Sequence, residues 1–159
     1  MLEAVIATAV LGILASIVLP KLSYILDAVY VDYEIRRLHS TLHYTKSVCR
    51  IANYNKFGLG QQSGYVGNTF ETYIRRSVTP NRYKVRKANG GADLGDTHEL
   101  ERDFTLYLKN DVGKTIISVG FDIHGDFASP QNDALVLSKG KVKRTVMLQG
   151  YGRMRIDRQ

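Results

Sequence analysis

From Ala4 to Leu19 the chain reads AVIATAVLGILASIVL, sixteen positions without a charge, closed by Pro20 and Lys21. A free-standing transmembrane helix needs roughly 17–25 apolar residues, so the run alone is a little short. The apolar period does not stop at the proline, because Leu22, Ile25, Leu26 and Val29 carry it further. A second pattern then runs through Tyr24, Ala28, Val31, Ile35, Leu38, Leu42, Thr45, Cys49 and Ala52, with spacings that alternate between four and three. Asp27, Asp32, Glu34, Arg36, Arg37, Lys46 and Arg50 fall largely off that face, as expected of a helix with one buried stripe. The two patterns predict a single helix from Met1 to about Asn53, about 80 Å long at 1.5 Å per residue. Its first half is apolar all round and its second half is amphipathic. A small domain cannot bury both, so the second half must pack on the C-terminal part of the chain and the first must lie in lipid or among other copies of itself. Pro20 removes one backbone hydrogen bond and predicts a kink or a loosened turn.

After Asn53 the period changes. Asn55 to Asn68 is rich in Gly and Gln and reads as a loop. Strands are predicted at Phe70–Val78, Arg82–Lys87, Phe104–Lys109, Thr115–Phe121, Ala134–Ser138, Val142–Leu148 and Arg153–Ile156, with Phe70–Val78 fitting a short helix equally well. Gly90-Gly91, Asn110-Asp111, Gly125-Asp126 and Lys139-Gly140 mark turns between them. Connections of hairpin length imply antiparallel sheets with one face covered by the amphipathic half-helix, which makes the class α+β. The expected organisation is a membrane or filament-core half-helix over 1–22, an amphipathic half over 23–54 and a β domain over 55–159.

The 159 residues fit one ordinary domain, and 44% apolar with 23% charged residues exclude disorder and low complexity. The lone cysteine, Cys49, excludes an internal disulfide, Cys-based zinc sites and Fe–S clusters. A net charge of +7 points to an anionic partner. Lys139, Lys141, Lys143, Arg144, Arg153, Arg155 and Arg158 face only Asp157, so six of the seven net charges lie in the last 21 residues. On continuous strands Lys139, Lys141 and Lys143 would share one face, and Arg153 and Arg155 another with Tyr151 in phase. Arg75, Arg76, Arg82, Lys84, Arg86 and Lys87 form a second basic group.

Enzyme chemistry finds little support. Asp122-x-His124-x-Asp126 has metal-ligand residue types but reads as a turn at Gly125. His39 and His43 stand one helical turn apart without a third ligand in sequence. Asp93, Asp96, Glu99, Glu101 and Asp103 read as solvated charge in a loop that matches no calcium-loop spacing. No enzyme activity and no cofactor or metal is expected. A secretory signal would need a basic start, whereas this run opens with Glu3.

Glu3, Gly12-Ile13-Leu14-Ala15 and Pro20 resemble, in residue and spacing, the N-terminus of type IV pilins and type II secretion pseudopilins. Tyr83-x-Val85, Leu100, Gly120-Phe121-Asp122, Gly125, Leu135-Val136-Leu137, Lys139-Gly140 and Gly152-Arg153-x-Arg155 further resemble the GspH/FimT subgroup of minor pseudopilins. The resemblance implies a pilin-like α+β fold and a minor filament subunit that initiates or caps assembly. Glu3, Gly12 and Pro20 would serve assembly, with Glu3 neutralising the N-terminal amine of a neighbouring subunit. It also implies processing by a prepilin peptidase, the inner membrane before assembly with the C-terminal domain outside the cytoplasm, and the periplasm or cell surface afterwards. Two residues precede Glu3 against four in the family's mature chain, so the expectation is a sequence truncated at, or beginning inside, the mature start. In FimT-like members the closing Gly-Arg-x-Arg is associated with DNA capture. Carried over, this implicates Gly152, Arg153 and Arg155, with Lys139, Lys141, Lys143, Arg144 and Arg158 adding to a field for double-stranded DNA without sequence specificity. Ala4, Thr8, Gly12 and Ser16 form a stripe of small residues that permits close helix packing.

Overall fold

In a computed structural model the described residues are 2–57, 70–75, 81–87, 93–101, 103–113, 115–122, 124–127 and 133–157. One helix, α1 (Leu2–Phe57), is followed by eight strands. These are β1 (Phe70–Arg75), β2 (Arg82–Lys87), β3 (Asp93–Glu99), β4 (Phe104–Leu108), β5 (Ile116–Gly120), β6 (Asp133–Lys139), β7 (Val142–Gln149) and β8 (Arg153–Asp157). They form two four-stranded sheets, ordered β3-β2-β1-β5 and β4-β6-β7-β8. Every pairing within these sheets is antiparallel. The architecture is one long N-terminal helix packed on antiparallel sheets.

Helical assignment continues through Pro20. The proline lacks the N–H that would reach Ser16, and Ser23 Oγ donates to the Pro20 carbonyl at 3.1 Å. Residues 2–26 are exposed without exception, and burial begins at Asp27 and Ala28. From there Val31, Ile35, Leu38, Leu42, Thr45 and Cys49 are sealed in the core. The four–three stripe is therefore the face that both sheets close upon, meeting Ile74, Tyr83, Ile117, Leu106, Leu135, Leu137, Val146 and Leu148 in one cluster. Tyr24, in phase with that stripe, stays exposed because the domain does not reach it.

Of the two readings open for the segment from Phe70, the strand is the one found, since Thr72 and Ile74 alternate inward against the helix. Other expectations need correction. The acidic stretch from Asp93 is not a loop, because Asp93–Glu99 is the edge strand β3, paired with β2 through a register shift between Tyr83 and Val85. Its charges stay solvent-exposed, as expected, but two of them are also paired across the strands, with Asp93 at 2.7 Å from Lys84 and Glu99 at 2.9 Å from Arg82. Two basic and two acidic residues that look independent in sequence thus meet across a strand pair. Of the expected loop at 55–68, residues 55–57 prolong the helix. The remainder, like the turn at Gly90-Gly91, lies outside the described residues.

At the helix–sheet seam, Thr45 Oγ1 donates to the Thr41 carbonyl at 2.8 Å and sits 2.8 Å from the Thr72 hydroxyl of β1. A carbonyl cannot donate, so Thr45 spends its proton there and Thr72 donates to Thr45. Both residues are fully buried. Thr45→Val is expected to strand the Thr72 donor and lower stability by about 1–3 kcal/mol. Thr72→Val should cost clearly less, since Thr45 keeps its carbonyl. Denaturant unfolding of the two variants and the double variant in detergent checks the order.

Candidate assembly helix and nucleic-acid interface

The exposed half of α1 is apolar, and its hydroxyls do not present orphan donors. Thr8 donates to the Val5 carbonyl at 2.9 Å and Ser16 to the Ile13 carbonyl at 2.7 Å. The stripe through Ala4, Thr8, Gly12 and Ser16 is thereby polar-satisfied within its own helix and open to close approach. Glu3, Gly12 and Pro20 all lie on this exposed half. The helix is long and apolar enough to cross a membrane.

The basic C-terminal region proves to be divided. Lys139 ends β6, Gly140 and Lys141 form the connection, and Lys143 lies in β7, with Lys139 paired to Val142. The three lysines therefore do not share the face of one strand. Gly140 has φ 57° in the first turn position, where a type II′ connection requires glycine. Lys139 shares its parity with Leu135 and Leu137 and points toward the helix. Its side chain is only 14% exposed, 3.1 Å from Glu101, 3.7 Å from Asp27 and stacked over the rings of Tyr30 and Phe104. Burial disfavours its charge, but Glu101, Asp27 and Asp103 outweigh that and hold the ammonium above the usual lysine range. Arg144 is likewise in phase with Val142, Val146 and Leu148, and its Nε meets Asp32 of the helix at 2.6 Å. Lys139 and Arg144 are latches between the β6–β7 hairpin and α1.

Arg153 and Arg155 are exposed and alternate with half-buried Met154 and Ile156, which pack on the core. They present one outward face of β8, the edge of its sheet. The arginines therefore occupy the open edge, whereas the lysine-bearing strands are internal. Arg158 lies outside the described residues. Tyr151 is not in phase on the strand as expected; it sits in the β7–β8 turn, 82% exposed at φ 61°. A left-handed tyrosine is uncommon and strained.

Gly152 fixes that turn. It is buried at φ 62°, and a Cβ there would overlap the Gly125 carbonyl. Lys46 Nζ donates to the Gly152 carbonyl at 3.0 Å. Gly125 itself has φ 84° under the Lys46 and Arg50 side chains, in a turn where Asp122 Oδ1 accepts from the backbone N–H groups of His124 and Asp126. The Asp122-x-His124-x-Asp126 motif is thus a satisfied turn that props the arginine hairpin. Lys46 is the residue that sequence reasoning misses, since one lysine on a helix face gives no sign of a carbonyl more than a hundred positions away.

Among the described residues no group of three or more metal-ligand side chains occurs. His39 and His43 meet edge to face at 4.5 Å. Burial, His39 and Lys46 hold the His43 imidazole below its ordinary 6.5. His98 on β3 instead reaches Glu34 of the helix at 2.8 Å, beside Tyr83. Burial pushes the Tyr83 hydroxyl well above the usual tyrosine range, with the Glu34 charge adding to it.

No protein-family model matches this chain. No curated protein matches it either. Among solved structures it is similar to the crystal structure of the type IV minor pilin FimU of Pseudomonas aeruginosa, at 14% identity and a TM-score of 0.44, over 78% of this chain and 90% of that one.

Two outcomes are expected. Gly152→Ala combines a left-handed penalty with a backbone overlap and should lower stability by about 1–3 kcal/mol in denaturant unfolding. For pH, the unfolded His43 takes up its proton around 6.5 while the folded one resists, so stability falls on acidification through that value. His43→Gln should flatten the slope of stability between about pH 7 and pH 5.

Proposed function

We propose that the chain is a minor, pilin-like subunit of a type IV pilus or type II secretion filament, acting at initiation or capping. The observation that carries this reading is a single helix bare over residues 2–26 and clamped to a folded domain from Ala28 onward. Such a surface is not stable in water: each fully exposed Leu, Ile or Val forgoes about 1.5–3 kcal/mol of burial. Lipid satisfies it first, and neighbouring helices satisfy it in an assembly. Glu3 is the one charge among those first apolar turns. An acid at the bilayer centre costs about 2.5–3.5 kcal/mol on insertion scales, and Glu3, in the first turn of the run, bears a part of that. A cation on a neighbouring subunit removes that cost, which favours the assembled state. The small-residue stripe lets the helices come close enough to meet. The inner membrane and a prepilin peptidase are the partners before assembly.

The test tracks the full chain in its own cell, separating sheared filaments from membranes. The wild type is expected in both fractions. Glu3→Leu should remain in the membrane and drop from the filament fraction by roughly tenfold or more. Glu3→Leu at wild-type level in filaments would overturn the reading.

A second reading, a DNA receptor on the same scaffold, is favoured by the outward pair Arg153 and Arg155 beside the exposed Tyr151. Lys139 and Arg144 contribute little to it because both are engaged with the helix, and Lys141 and Lys143 lie at the opposite end of the domain. Binding would run through phosphates and release counterions. Arg153→Ala/Arg155→Ala should reduce the logarithmic salt slope by about 2, at roughly 0.9 per phosphate contact. An unchanged slope would remove this reading and leave the filament subunit alone.

A further inference from the structure

The basic C-terminal region is split along the axis of α1. Asp27 Oδ2 lies 3.5 Å from the Cβ position of Gly140 at the β6–β7 tip, and Lys46 holds Gly152 at the β7–β8 turn. Nineteen helical residues separate the two, about 28 Å at 1.5 Å per residue. Gly140 therefore marks the end of the domain from which the bare half-helix emerges, and the arginine hairpin marks the far end.

The near end carries its own charge arrangement. Lys21, Lys141 and Lys143 are exposed, with no ion pair to another described residue. The acids of this end are Asp27, Asp32, Glu101 and Asp103. The first three are tied to Lys139 or Arg144, and Asp103 lies close enough to raise the affinity of Lys139 for its proton. Lys139 and Arg144 answer two of these four acids, so Lys21, Lys141 and Lys143 leave this end with a net charge of +1, its unpaired cations on the helix exit and the hairpin tip. Tyr24 stands exposed on the intervening turns, as aromatic residues do at a membrane–water boundary. Lengths agree as well. Six residues from Lys21 to Asp27 rise about 9 Å, while a headgroup layer is roughly 5–7 Å thick outside the hydrocarbon. A lysine side chain on the tip spans the difference.

We propose that the β6–β7 tip, through Lys141 and Lys143 together with Lys21, docks on the anionic lipid surface beside the anchoring helix before assembly. This rests on the reading of residues 2–21 as the membrane-inserted half. The hairpin is held rigidly for the task, since Lys139 and Arg144 latch it to Asp27 and Asp32. The docking fixes the tilt of the domain over the bilayer, and packing into a filament replaces it.

The test reconstitutes the full chain in vesicles of phosphatidylcholine with phosphatidylglycerol and in vesicles of phosphatidylcholine alone, both containing a brominated lipid. An environment-sensitive fluorophore is attached in turn to Asp103→Cys, Gln149→Cys and Ser16→Cys, so that all three docking lysines stay in place; Asp103 is exposed just before Phe104, the partner of Lys139 beside the tip, and fully buried Cys49 is kept. Quenching is expected at 16 in both vesicles, at 103 only with phosphatidylglycerol, and not at 149. Added Lys143→Glu or high salt should reduce the population quenched at 103, by roughly fivefold for each lysine contact removed. Quenching at 16 without quenching at 103 overturns the docking and leaves the anchor intact. Equal quenching at 103 in both vesicles overturns the role of lipid charge. No quenching at 16 overturns the anchor and the docking with it.

Discussion

The structure depends on one constraint: a continuous helix longer than its domain. Backbone hydrogen bonding makes α1 a single rod from Leu2 to Phe57, but the two sheets offer apolar contact only from Ala28 onward. The same element therefore serves as the spine of the core and as a surface without a cover. Everything on the domain side answers the first requirement. The sheets close on the stripe from Val31 to Cys49, the one hydroxyl in it donates to the Thr41 carbonyl and accepts from Thr72, and Glu34 reaches His98 on an edge strand. Everything on the bare side answers the second. Hydroxyls fold back on their own turns, and the sole acid sits near the end.

Much of this is legible in the amino-acid sequence. The helix can be read because a period of 3.6 is written twice over, once as an uninterrupted apolar run and once as a four–three stripe. Positions 31 to 49 of that stripe are the ones that the core seals. Seven of the eight strands announce themselves, most through apolar alternation and β6 through an unbroken apolar run. The eighth, β3, does not. Asp-Leu-Gly-Asp-Thr-His-Glu has almost no apolar content, because an edge strand held by ion pairs and by His98–Glu34 has no need of one.

The basic region is legible in amount but not in arrangement. Lys139, Lys141 and Lys143 alternate just as strand residues do, and a two-residue connection centred on Gly140 produces the same spacing. Parity holds the better signal: Lys139 is in phase with Leu135 and Leu137, and Arg144 with Val142 and Val146, which puts both on the core side. Their partners Asp27 and Asp32 look from sequence like ordinary polar residues of a helix face. Lys46 cannot be read at all, since its acceptor is a carbonyl whose position depends on the turn at Gly152. The arginines keep their predicted face because β8 is short, regular and alternates with Met154 and Ile156.

Strand β7 and the turns at its two ends run beside α1 in the same direction, the β6–β7 turn at Asp27, Arg144 of the strand at Asp32 and the β7–β8 turn at Lys46. A pull on the bare half along its axis reaches the domain as shear along this seam. Shear loads Lys139–Asp27, Arg144–Asp32 and Lys46–Gly152 together, whereas peeling would break them one at a time. The domain is thus fastened to its rod in the geometry that resists axial tension best.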